Sequence, residues 1–376
     1  MSSPHPGRPR LAVVGNPENR RIALFTDAVR AAGLPGPRVV PWTDVLRRGG
    51  AEFAADETVR IDSPGENAQV DRLLRGTDDP TRVEGSGRWY AGFTAALRSL
   101  RGGRRLDDPD DLAVLFDKRL CHGVLDAAGV PVPASPTSGP DGTPVRGWDD
   151  VRALMREHRM PRLFVKPAHG SSASGVLAVE TGGGRIRATT SVELTPDGRL
   201  YNSLNVRRYD REHDLAAIVD TLAPDGLHLE RWLPKASQEG RAADLRVVVV
   251  AGRATHAVLR TSRSPMTNLH LGGSRGDLDA ARRAVEAAGA RWADLLGVCE
   301  RAAACFPRTL CVGVDLLPAV GWRRAAVGEV NAFGDLLPRL TGLPGSGAEG
   351  LDTYAAQVAA VLSGSHHQHR TGTPHA

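Results

Sequence analysis

Residues 312–335 contain two apolar runs joined by a polar turn, and the runs carry Asp315, Glu329 and Asn331. The pattern predicts two paired strands. Glu329 and Asn331 are two residues apart, so they share one face of the second strand, and pairing can bring Asp315 to them. Two carboxylates and an amide oxygen are hard ligands that suit Mg2+ or Mn2+, because acids in apolar strands are costly to bury without a cation. The alternative is that both acids stand at strand ends and face water.

The composition predicts a globular chain of two or three domains. It has 376 residues, of which 41% are hydrophobic and 24% charged. No apolar run reaches the roughly 18 residues that span a bilayer, and the N-terminus does not look like a signal peptide. The four cysteines show no CxxC spacing. We therefore expect reduced thiols, a cytoplasmic location and no membrane partner.

The charge pattern gives little support to nucleic-acid binding. The net charge is +5 and the isoelectric point is about 9.3, but basic residues are scattered and aromatic residues make up only 5%. Lysine supplies only three of the 48 basic residues: Lys118, Lys166 and Lys235. Arginine and lysine are not interchangeable, so each retained lysine is a candidate for a site that requires a compact ammonium group.

The first 110 residues have the pattern of an open parallel α/β sheet. Strands are predicted at 11–14 and 38–41, with a helix over 19–32 between them. The turn after the first strand lacks GxGxxG, so dinucleotide binding is not indicated. Asn19, Arg20 and Arg21 are interpreted as a helix cap and solvent charges, with ligand contact as the alternative.

The middle of the chain combines a lysine-bearing helix with a loop of small residues. A single helix is predicted over 112–128, and it carries Lys118. The segment LFVKPAHGSSASGV (163–176) predicts a strand that ends near Lys166, followed by a loop whose Gly and Ser residues allow close approach to a phosphate. Residues 182–214 receive no clear assignment.

The remaining segments fit the same α/β scheme. A hairpin is predicted from strands 245–250 and 255–260, which contain Arg246 and Arg260, and helical patterning extends over 278–306.

A polar break at 101–111 marks the first domain boundary. The predicted divisions are an N-terminal α/β domain (1–110), a lid subdomain (111–230), a core subdomain with the metal site (231–362) and a disordered, His-bearing tail (363–376).

Taken in order, these features resemble the ATP-grasp superfamily, above all its branch of glutathione synthetase, D-alanine–D-alanine ligase and ribosomal-protein-S6 glutamate ligase. The resemblance covers roughly residues 112–362. It is carried by Lys118, the VKPxxGSSxxGV loop, the segment ExWL, the segment DLRV, a later arginine and the Asp…Glu-x-Asn set. It implies an α/β (α+β) ATP-grasp fold preceded by an open α/β domain.

The resemblance implies a role for each matching residue. Asp315, Glu329 and Asn331 would hold Mg2+, and Arg246 and Arg260 would stabilise the transferred phosphate or acyl phosphate. A loop of Asn268, Gly272 and Gly273 would line the acceptor side. The remaining implied residues would bind ATP: Lys118, Lys166, Gly170, Ser171, Ser172, Gly175, Glu230, Arg231, Trp232, Leu233 and Glu239.

Several points depart from the family pattern or stay open. The segment 182–227 is longer than expected, and His169 is unusual in the loop. The acid that would bind the ribose is either Glu239 or Asp244. Arg246 and Arg260 have a second interpretation, as structural salt bridges to Asp244 or Glu329.

The function expected from the resemblance is that of an ATP-dependent carboxylate–amine ligase, working through an acyl phosphate. Its partners would be ATP with Mg2+ (or Mn2+) and a small carboxylate and amine, whose identities the sequence does not give. The alternatives are a nucleotide-binding regulatory module without ligase activity and a phosphotransferase. A homodimer is common in such folds, although nothing in the sequence demands one.

Overall fold

The computed structural model describes residues 9–170, 173–333, 337 and 340–365. The described part forms three β-sheets with helices packed on them. Ser171 and Ser172 of the predicted phosphate loop lie outside the described residues, as does the predicted tail (363–376) from residue 366 onward. The tail prediction is wrong at its first residue, because Ser363 is the last residue of a helix. No helix in the described ranges combines the length and apolar character needed to cross a membrane.

The N-terminal sheet confirms the predicted parallel α/β start. Its elements are β1 (Arg10–Gly15), α1 (Arg20–Ala31), β2 (Arg38–Pro41), α2 (Trp42–Arg48), β3 (Ala51–Ile61), α3 (Ala68–Arg75), α4 (Ser86–Arg98) and β4 (Leu100–Arg105). The strand order is β2-β1-β3-β4, and all pairs are parallel. Asn19 caps α1, since its side chain accepts a hydrogen bond from the Arg21 backbone N–H at 2.9 Å.

The predicted polar break at 101–111 is wrong in its first half, because β4 occupies it. β4 is an edge strand with little apolar burial, so it lacks the hydrophobic signal of an inner strand. Its two glycines have positive φ, and a Cβ on Gly102 would lie 2.2 Å from the Phe53 carbonyl oxygen. Glycine is therefore required for β4 to approach β3.

Two helices replace the single helix predicted over 112–128. They are α5 (Pro109–Leu115) and α6 (Lys118–Ala127). Asp117 has an extended backbone, and its side chain accepts a hydrogen bond from the Arg119 N–H at 2.9 Å, so a new helix begins at Lys118. Lys118 consequently occupies the first turn of α6 instead of a helix interior.

The lid sheet is a five-stranded antiparallel sheet. Its elements are α7 (Trp148–Glu157), β5 (Arg162–Pro167), β6 (Leu177–Gly182), β7 (Arg185–Leu194), β8 (Leu200–Tyr209), α8 (Glu212–Leu222) and β9 (Leu227–Arg231). The strand order is β8-β7-β6-β5-β9. The unassigned segment 182–214 thus contains the β7–β8 hairpin. A register shift between Thr190 and Val192 and the exposed edge of β8 weaken its alternation of apolar and polar residues.

The core sheet contains the predicted hairpin and the acidic strands. Its elements are β10 (Ser237–Gln238), β11 (Arg241–Val250), β12 (Arg253–Ser262), β13 (Ser274–Arg275), α9 (Leu278–Ala287), α10 (Trp292–Ala304), β14 (Cys311–Pro318) and β15 (Ala325–Ala332). The main strand order is β13-β12-β11-β14-β15, and β10 pairs with β11. The helical pattern over 278–306 is split into α9 and α10, with Gly289 at φ 80° between them.

The last helix, α11 (Thr353–Ser363), returns to the N-terminal sheet. Its Tyr354 and Val358 pack with Phe25 and Val29 of α1. A larger buried cluster joins the N-terminal sheet, α5 and α6 to the core sheet. The lid sheet, α7 and α8 have a separate buried cluster. The core sheet and the N-terminal sheet therefore share one packed interior, while the lid packs around its own.

Candidate active site

A deep cleft separates the lid sheet from the core sheet. We call it the inter-sheet cleft; its empty volume is about 820 Å³, including its open mouth. Its charged walls come from both sheets and from α6, and its apolar walls include Phe164, Val176 and Leu317. The other residues that line the cleft include Lys118, Lys166, Gly170, Ser174, Glu230, Arg231, Leu233, Lys235, Asp244, Arg260, Met266, Thr267, Asn268, Asp315 and Glu329.

The predicted oxygen ligands lie on adjacent strands of the core sheet. Asp315 of β14 is directly opposite Glu329 of β15, and Asn331 is opposite Gly313. The register shifts between Asp315 and Leu316, so Gly328 forms a bulge next to Glu329. A Cβ at Gly328 would lie 2.9 Å from the Leu317 side chain, which explains a glycine there. The predicted strand pairing is thus confirmed, and it brings the two carboxylates together.

Asp315 is held by two arginines. Arg246 lies opposite Asp315 across the β11–β14 pair, and its Nε is 2.6 Å from Oδ1. An Nη of Arg260 lies 3.0 Å from the same oxygen. Burial alone would raise the pKa of Asp315, but the two guanidinium groups outweigh burial and lower it. Asp315 is therefore a permanent anion, with more positive than negative charge around it.

A second acid, Asp244, anchors the other side of this network. It lies opposite Arg260, whose Nε donates to Oδ1 at 2.8 Å. Lys235 lies 3.4 Å from Oδ2, and the Thr267 hydroxyl donates to the same oxygen. Asp244 lines the cleft, whereas Glu239 does not. Glu239 lies in the exposed turn between β10 and β11 with φ 52°.

Lys118 connects α6 to both sheets. Its Nζ lies 2.8 Å from Glu329 Oε1 and donates to the Gly170 carbonyl oxygen at 2.6 Å. The backbone N–H of Lys118 also donates to the Ala168 carbonyl oxygen at 2.9 Å. The ammonium group thus joins the acid on β15 to the start of the glycine-rich loop.

Lys166 forms a separate buried pair within the lid sheet. Its ammonium contacts Glu230 on the neighbouring strand β9, and His228 Nε2 lies 3.6 Å from the same carboxylate. Burial would raise the pKa of Glu230, but Lys166 and His228 reverse this and lower it to about 2. Burial lowers the pKa of His228 to about 4, so His228 is neutral at pH 7.

The segment after Glu230 crosses from the lid sheet to the core sheet. Arg231 and Leu233 line the cleft. Trp232 lies outside the lining. Its ring centroid is 5.4 Å from that of Phe164, and its backbone N–H donates to the Arg162 carbonyl oxygen at 3.2 Å. Trp232 therefore supports the cleft wall through Phe164.

The described part of the glycine-rich loop approaches the cleft from the lid. Gly170 and Ser174 line the cleft. Gly175 has φ 73°, and a Cβ there would lie 2.5 Å from Pro167 Cγ, so only glycine fits. His169, which precedes the loop, stacks on Tyr90 with ring centroids 4.0 Å apart. The loop base is thus fixed by packing on both sides.

A second cavity, which we call the arginine pocket, opens beside the inter-sheet cleft. It is lined by Arg246, Asn331 and Arg260 of the core sheet and by Arg21, Glu66 and Trp89 of the N-terminal domain. The sequence analysis named Arg21 only as a weaker alternative and missed Glu66 and Trp89. Glu66 has φ 60°, which is uncommon for a residue with a side chain, but this backbone strain is visible only in the structure, so the sequence offered no signal for it.

The donor set fits Mg2+ better with a nucleotide than alone. Asp315, Glu329 and Asn331 offer hard oxygen atoms on adjacent strands. Among the described residues, no group of three or more His, Cys, Asp or Glu forms a self-sufficient metal site. Asp315 and Glu329 are also already paired with Arg246, Arg260 and Lys118. A bare cation would meet this positive charge, whereas a metal that arrives with phosphates brings compensating negative charge.

An N-terminal α/β domain is followed by two sheets that enclose a charged cleft, and solved structures share this arrangement. The structure is similar to the crystal structure of the D-cycloserine synthetase DcsG, with 17% identity, a TM-score of 0.54, and coverage of 94% of this chain and 99% of that one. It is also similar to the ATP-grasp ligase PsnB in complex with the precursor peptide PsnA2 and AMPPNP (16% identity, TM-score 0.52, 95% and 97% coverage). PsnB with a phosphomimetic precursor variant, Mg and ADP gives 18% identity, a TM-score of 0.50, and 95% and 98% coverage.

The chain therefore has the ATP-grasp fold, as the sequence resemblance predicted. The likeness extends over nearly the whole chain, including the N-terminal α/β domain. No protein-family model and no curated protein sequence matches the chain significantly.

Proposed function

We propose that the protein is an ATP-dependent carboxylate–amine ligase that forms an amide through an acyl phosphate. The observation that carries the proposal is the row of charges across the core sheet. Arg246, Asp315 and Glu329 lie opposite one another on β11, β14 and β15, and Lys118 reaches the end of this row from α6. This row borders both the inter-sheet cleft and the arginine pocket, so it lies where a phosphoryl group can pass from one to the other.

The inter-sheet cleft is the proposed site for ATP. Phe164, Val176 and Met266 offer apolar surface for a base, while Lys118, Lys166 and Arg260 offer positive charge for phosphates. The presence of AMPPNP in one PsnB structure and ADP in another supports a nucleotide in a cleft of this fold. Among the predicted residues, Glu230 and Lys166 would act as a pair that orients the lysine toward the phosphates.

Mg2+ would be held by Asp315, Glu329 and Asn331, and when bound it would neutralise charge on the phosphates. Mg with ADP is present in one PsnB complex, which supports the same metal here. The chain's own residues then have two tasks. Arg246 and Arg260 bind the anionic groups, and Lys118 ties the loop base at Gly170 to the reacting region.

The arginine pocket is the proposed site for the acid. Its carboxylate oxygen attacks the γ-phosphorus, the bond from phosphorus to the bridging oxygen breaks, and ADP leaves. An amine nitrogen that has lost one proton then forms the C–N bond. The C–O bond to the phosphate breaks, and inorganic phosphate leaves with the electron pair and takes up the amine's second proton. Closure of the glycine-rich loop would exclude water, which otherwise hydrolyses the activated acid.

The test has a binding stage and a turnover stage. We expect Mg2+ with ATP to raise the melting temperature, and Mg2+ alone to leave it nearly unchanged, because the site already carries three cationic side chains. Asp315→Asn should remove the Mg2+-dependent part of the shift. Screening of acids with amines should then give ADP release only when both are present. ADP release with an acid alone would favour phosphoryl transfer without ligation, and no nucleotide-dependent shift would contradict the ATP site.

Two further expectations accompany the proposal. The four cysteines are all free in the structure, in keeping with the predicted reduced, cytoplasmic protein. Location and oligomeric state stay predictions, as does the absence of a nucleic-acid partner. Fractionation of cells that express the chain and sedimentation of the purified protein would test the first two.

A further inference from the structure

A third cavity lies between the N-terminal domain and the lid. We call it the side pocket; its empty volume is about 1140 Å³, including its mouth. One wall is a face of α3 that carries Asp71 and Arg75, which are one helical turn apart. The opposite wall is the start of α4 with Ser86, and the lid contributes Gly170.

Two buried oxygen atoms, on residues that line the side pocket, have no hydrogen-bond partner among the described residues. They are the hydroxyl oxygen of Ser86, a residue that is only 9% exposed, and Oδ2 of Asp71. Arg75 does not satisfy this carboxylate fully, since its Nε lies 3.3 Å from Oδ1 while its Nη1 donates to the Arg82 carbonyl oxygen at 2.7 Å. Burying polar atoms without partners is costly, so a ligand that donates hydrogen bonds fits here.

The charge of the side pocket is opposite to that of the arginine pocket. The side pocket contains Asp71 and Glu66 against the single paired cation Arg75. The arginine pocket contains four cations, Arg21, Lys118, Arg246 and Arg260, against the two acids Glu66 and Glu329. An anionic substrate is therefore favoured in the arginine pocket, and a cationic one in the side pocket.

The two pockets are adjacent and share a wall close to the proposed reaction centre. Both are lined by Gly65, Glu66, Trp89, Phe116 and Gly170. Gly170 also lines the inter-sheet cleft and accepts the hydrogen bond from Lys118. A molecule in the side pocket therefore lies next to the point where the nucleotide and acid sites meet.

We propose that the side pocket binds the amine substrate, a primary amine with an apolar or aromatic side chain. Its ammonium group donates hydrogen bonds to Asp71 Oδ2 and to the Ser86 hydroxyl oxygen. Its side chain packs on the apolar walls, which include Val83, Trp89 and Phe116. The inference rests on the proposed ligase function and adds the class and the entry side of the second substrate.

The experiment uses two probes of opposite charge on the full chain. L-Leucinamide carries an ammonium group without a carboxylate, and N-acetyl-L-leucine carries the reverse. Calorimetric titration, with and without Mg2+ and AMPPNP, should show that L-leucinamide binds. Asp71→Asn should weaken its binding by at least about tenfold, and Ser86→Ala by a smaller factor, because the ammonium group meets an opposite charge on Asp71 but only an uncharged hydroxyl on Ser86.

Asp44→Asn is the matched control. Asp44 also pairs with an arginine four residues later on a short helix, but its side chain is 40% exposed and lies outside the three cavities. This variant should bind L-leucinamide as the unmodified chain does. Equal affinity of Asp71→Asn and the unmodified chain would overturn the proposal, as would tighter binding of N-acetyl-L-leucine in the same site. Asp71→Asn should keep the thermal shift with Mg2+ and ATP, because Asp71 lies outside the nucleotide site. A missing shift in the unmodified chain would refute the ligase proposal itself.

Discussion

The lid and the core sheet both place buried ion pairs on the inter-sheet cleft, but the two arrangements differ in charge balance. In the lid, one cation faces one anion, Lys166 with Glu230, and the adjacent His228 is neutral. In the core sheet, Asp315 contacts two arginines at 2.6 and 3.0 Å. The network around it has four cations for three anions: Arg246, Arg260, Lys118 and Lys235 with Asp244, Asp315 and Glu329. The lid pair is therefore self-compensating, whereas the core network retains positive charge.

This difference in charge balance indicates which end of the cleft is suited to phosphates. A compensated pair has little attraction left for an anion, so its main contribution is to fix the position of its members. A network with one more cation than anions attracts an anion, and its guanidinium groups offer planar donors to it. We therefore expect substitutions in the lid pair to affect folding first, and substitutions in the core network to affect turnover first.

The largest expected effect is on turnover, in Glu329→Gln. The substitution keeps the side-chain shape but removes one of the two carboxylates of the proposed metal set and the charge that faces Lys118 at 2.8 Å. We expect ADP formation to fall by roughly 10⁴-fold, equivalent to about 5 kcal/mol of barrier. The rate should be measured with the acid and amine that the screen identifies.

Glu193→Gln provides the control for that experiment. Glu193 also forms a 2.7 Å ion pair, with Arg207, but both side chains are 40% exposed on the lid hairpin. Its turnover should be unchanged. Full activity of Glu329→Gln would exclude Glu329 as a metal ligand and would remove the distinction between the two regions.

The next effect is on stability, in Glu230→Gln. The change leaves Lys166 buried without its anion, and breaking one partner of a buried pair costs about 3 to 5 kcal/mol of unfolding free energy. Urea denaturation should show this loss in the protein without nucleotide. Glu180→Gln in the same sheet should cost less than about 1 kcal/mol, since its partner Arg187 is 49% exposed. Similar losses in both variants would mean that the lid pair does not hold the fold.

A third effect, on pH dependence, also belongs to the lid. The pKa of His228 is lowered from 6.5 to about 4 by burial. Below pH 6.5 the unfolded chain therefore binds a proton that the native state does not accept until about pH 4. The free energy of unfolding therefore decreases as the pH is lowered from 6.5 to 4, by about 3 kcal/mol in total.

Urea titrations at pH 7, 5.5 and 4 would measure this loss. His228→Gln should flatten the profile between pH 6.5 and 4, whereas the exposed His213 should make no such difference when it is changed to Gln. An unchanged profile in His228→Gln would show that another group causes the acid sensitivity.

The sequence predicted the core network well because its signals are local. The spacing of Glu329 and Asn331, and acids within apolar strands, were enough to predict that strand pairing can bring Asp315 to them, and the structure supplies the register. The same reasoning left open whether Arg260 forms a structural salt bridge with Asp244. It forms that bridge and also contacts Asp315, so the structural interpretation is confirmed, and the role of Arg260 toward phosphate stays a prediction.

Other features could not be predicted because they depend on contacts between distant segments. The arginine pocket combines Arg21 and Glu66 with residues more than 150 positions later in the chain. β4 was missed because an edge strand needs no apolar alternation. The break before Lys118 did have a local signal, since Asp117 is a preferred N-cap residue, but the apolar pattern on both sides obscured it.

The smallest predicted effect concerns how the lid is attached outside the cleft. Asp225, which follows α8 of the lid, accepts hydrogen bonds from the Gly85, Ser86 and Gly87 backbone N–H groups at 2.5, 3.2 and 3.1 Å. It therefore caps α4 of the N-terminal domain from another part of the chain. Asp225→Asn removes the negative charge at the helix N-terminus and one of two equivalent acceptors, so we expect a loss of about 1 kcal/mol in unfolding free energy.

Hydrogen exchange separates this capping role from general destabilisation. The first-turn amides of α4 should exchange faster in Asp225→Asn, while amides of the core sheet should change only by the global loss. Asp277→Asn is the control, because Asp277 caps α9 from its own N-cap position, where Asn is an equally good cap. If α4 exchanges at its original rate in Asp225→Asn, the lid is held to the N-terminal domain by packing and not by this carboxylate.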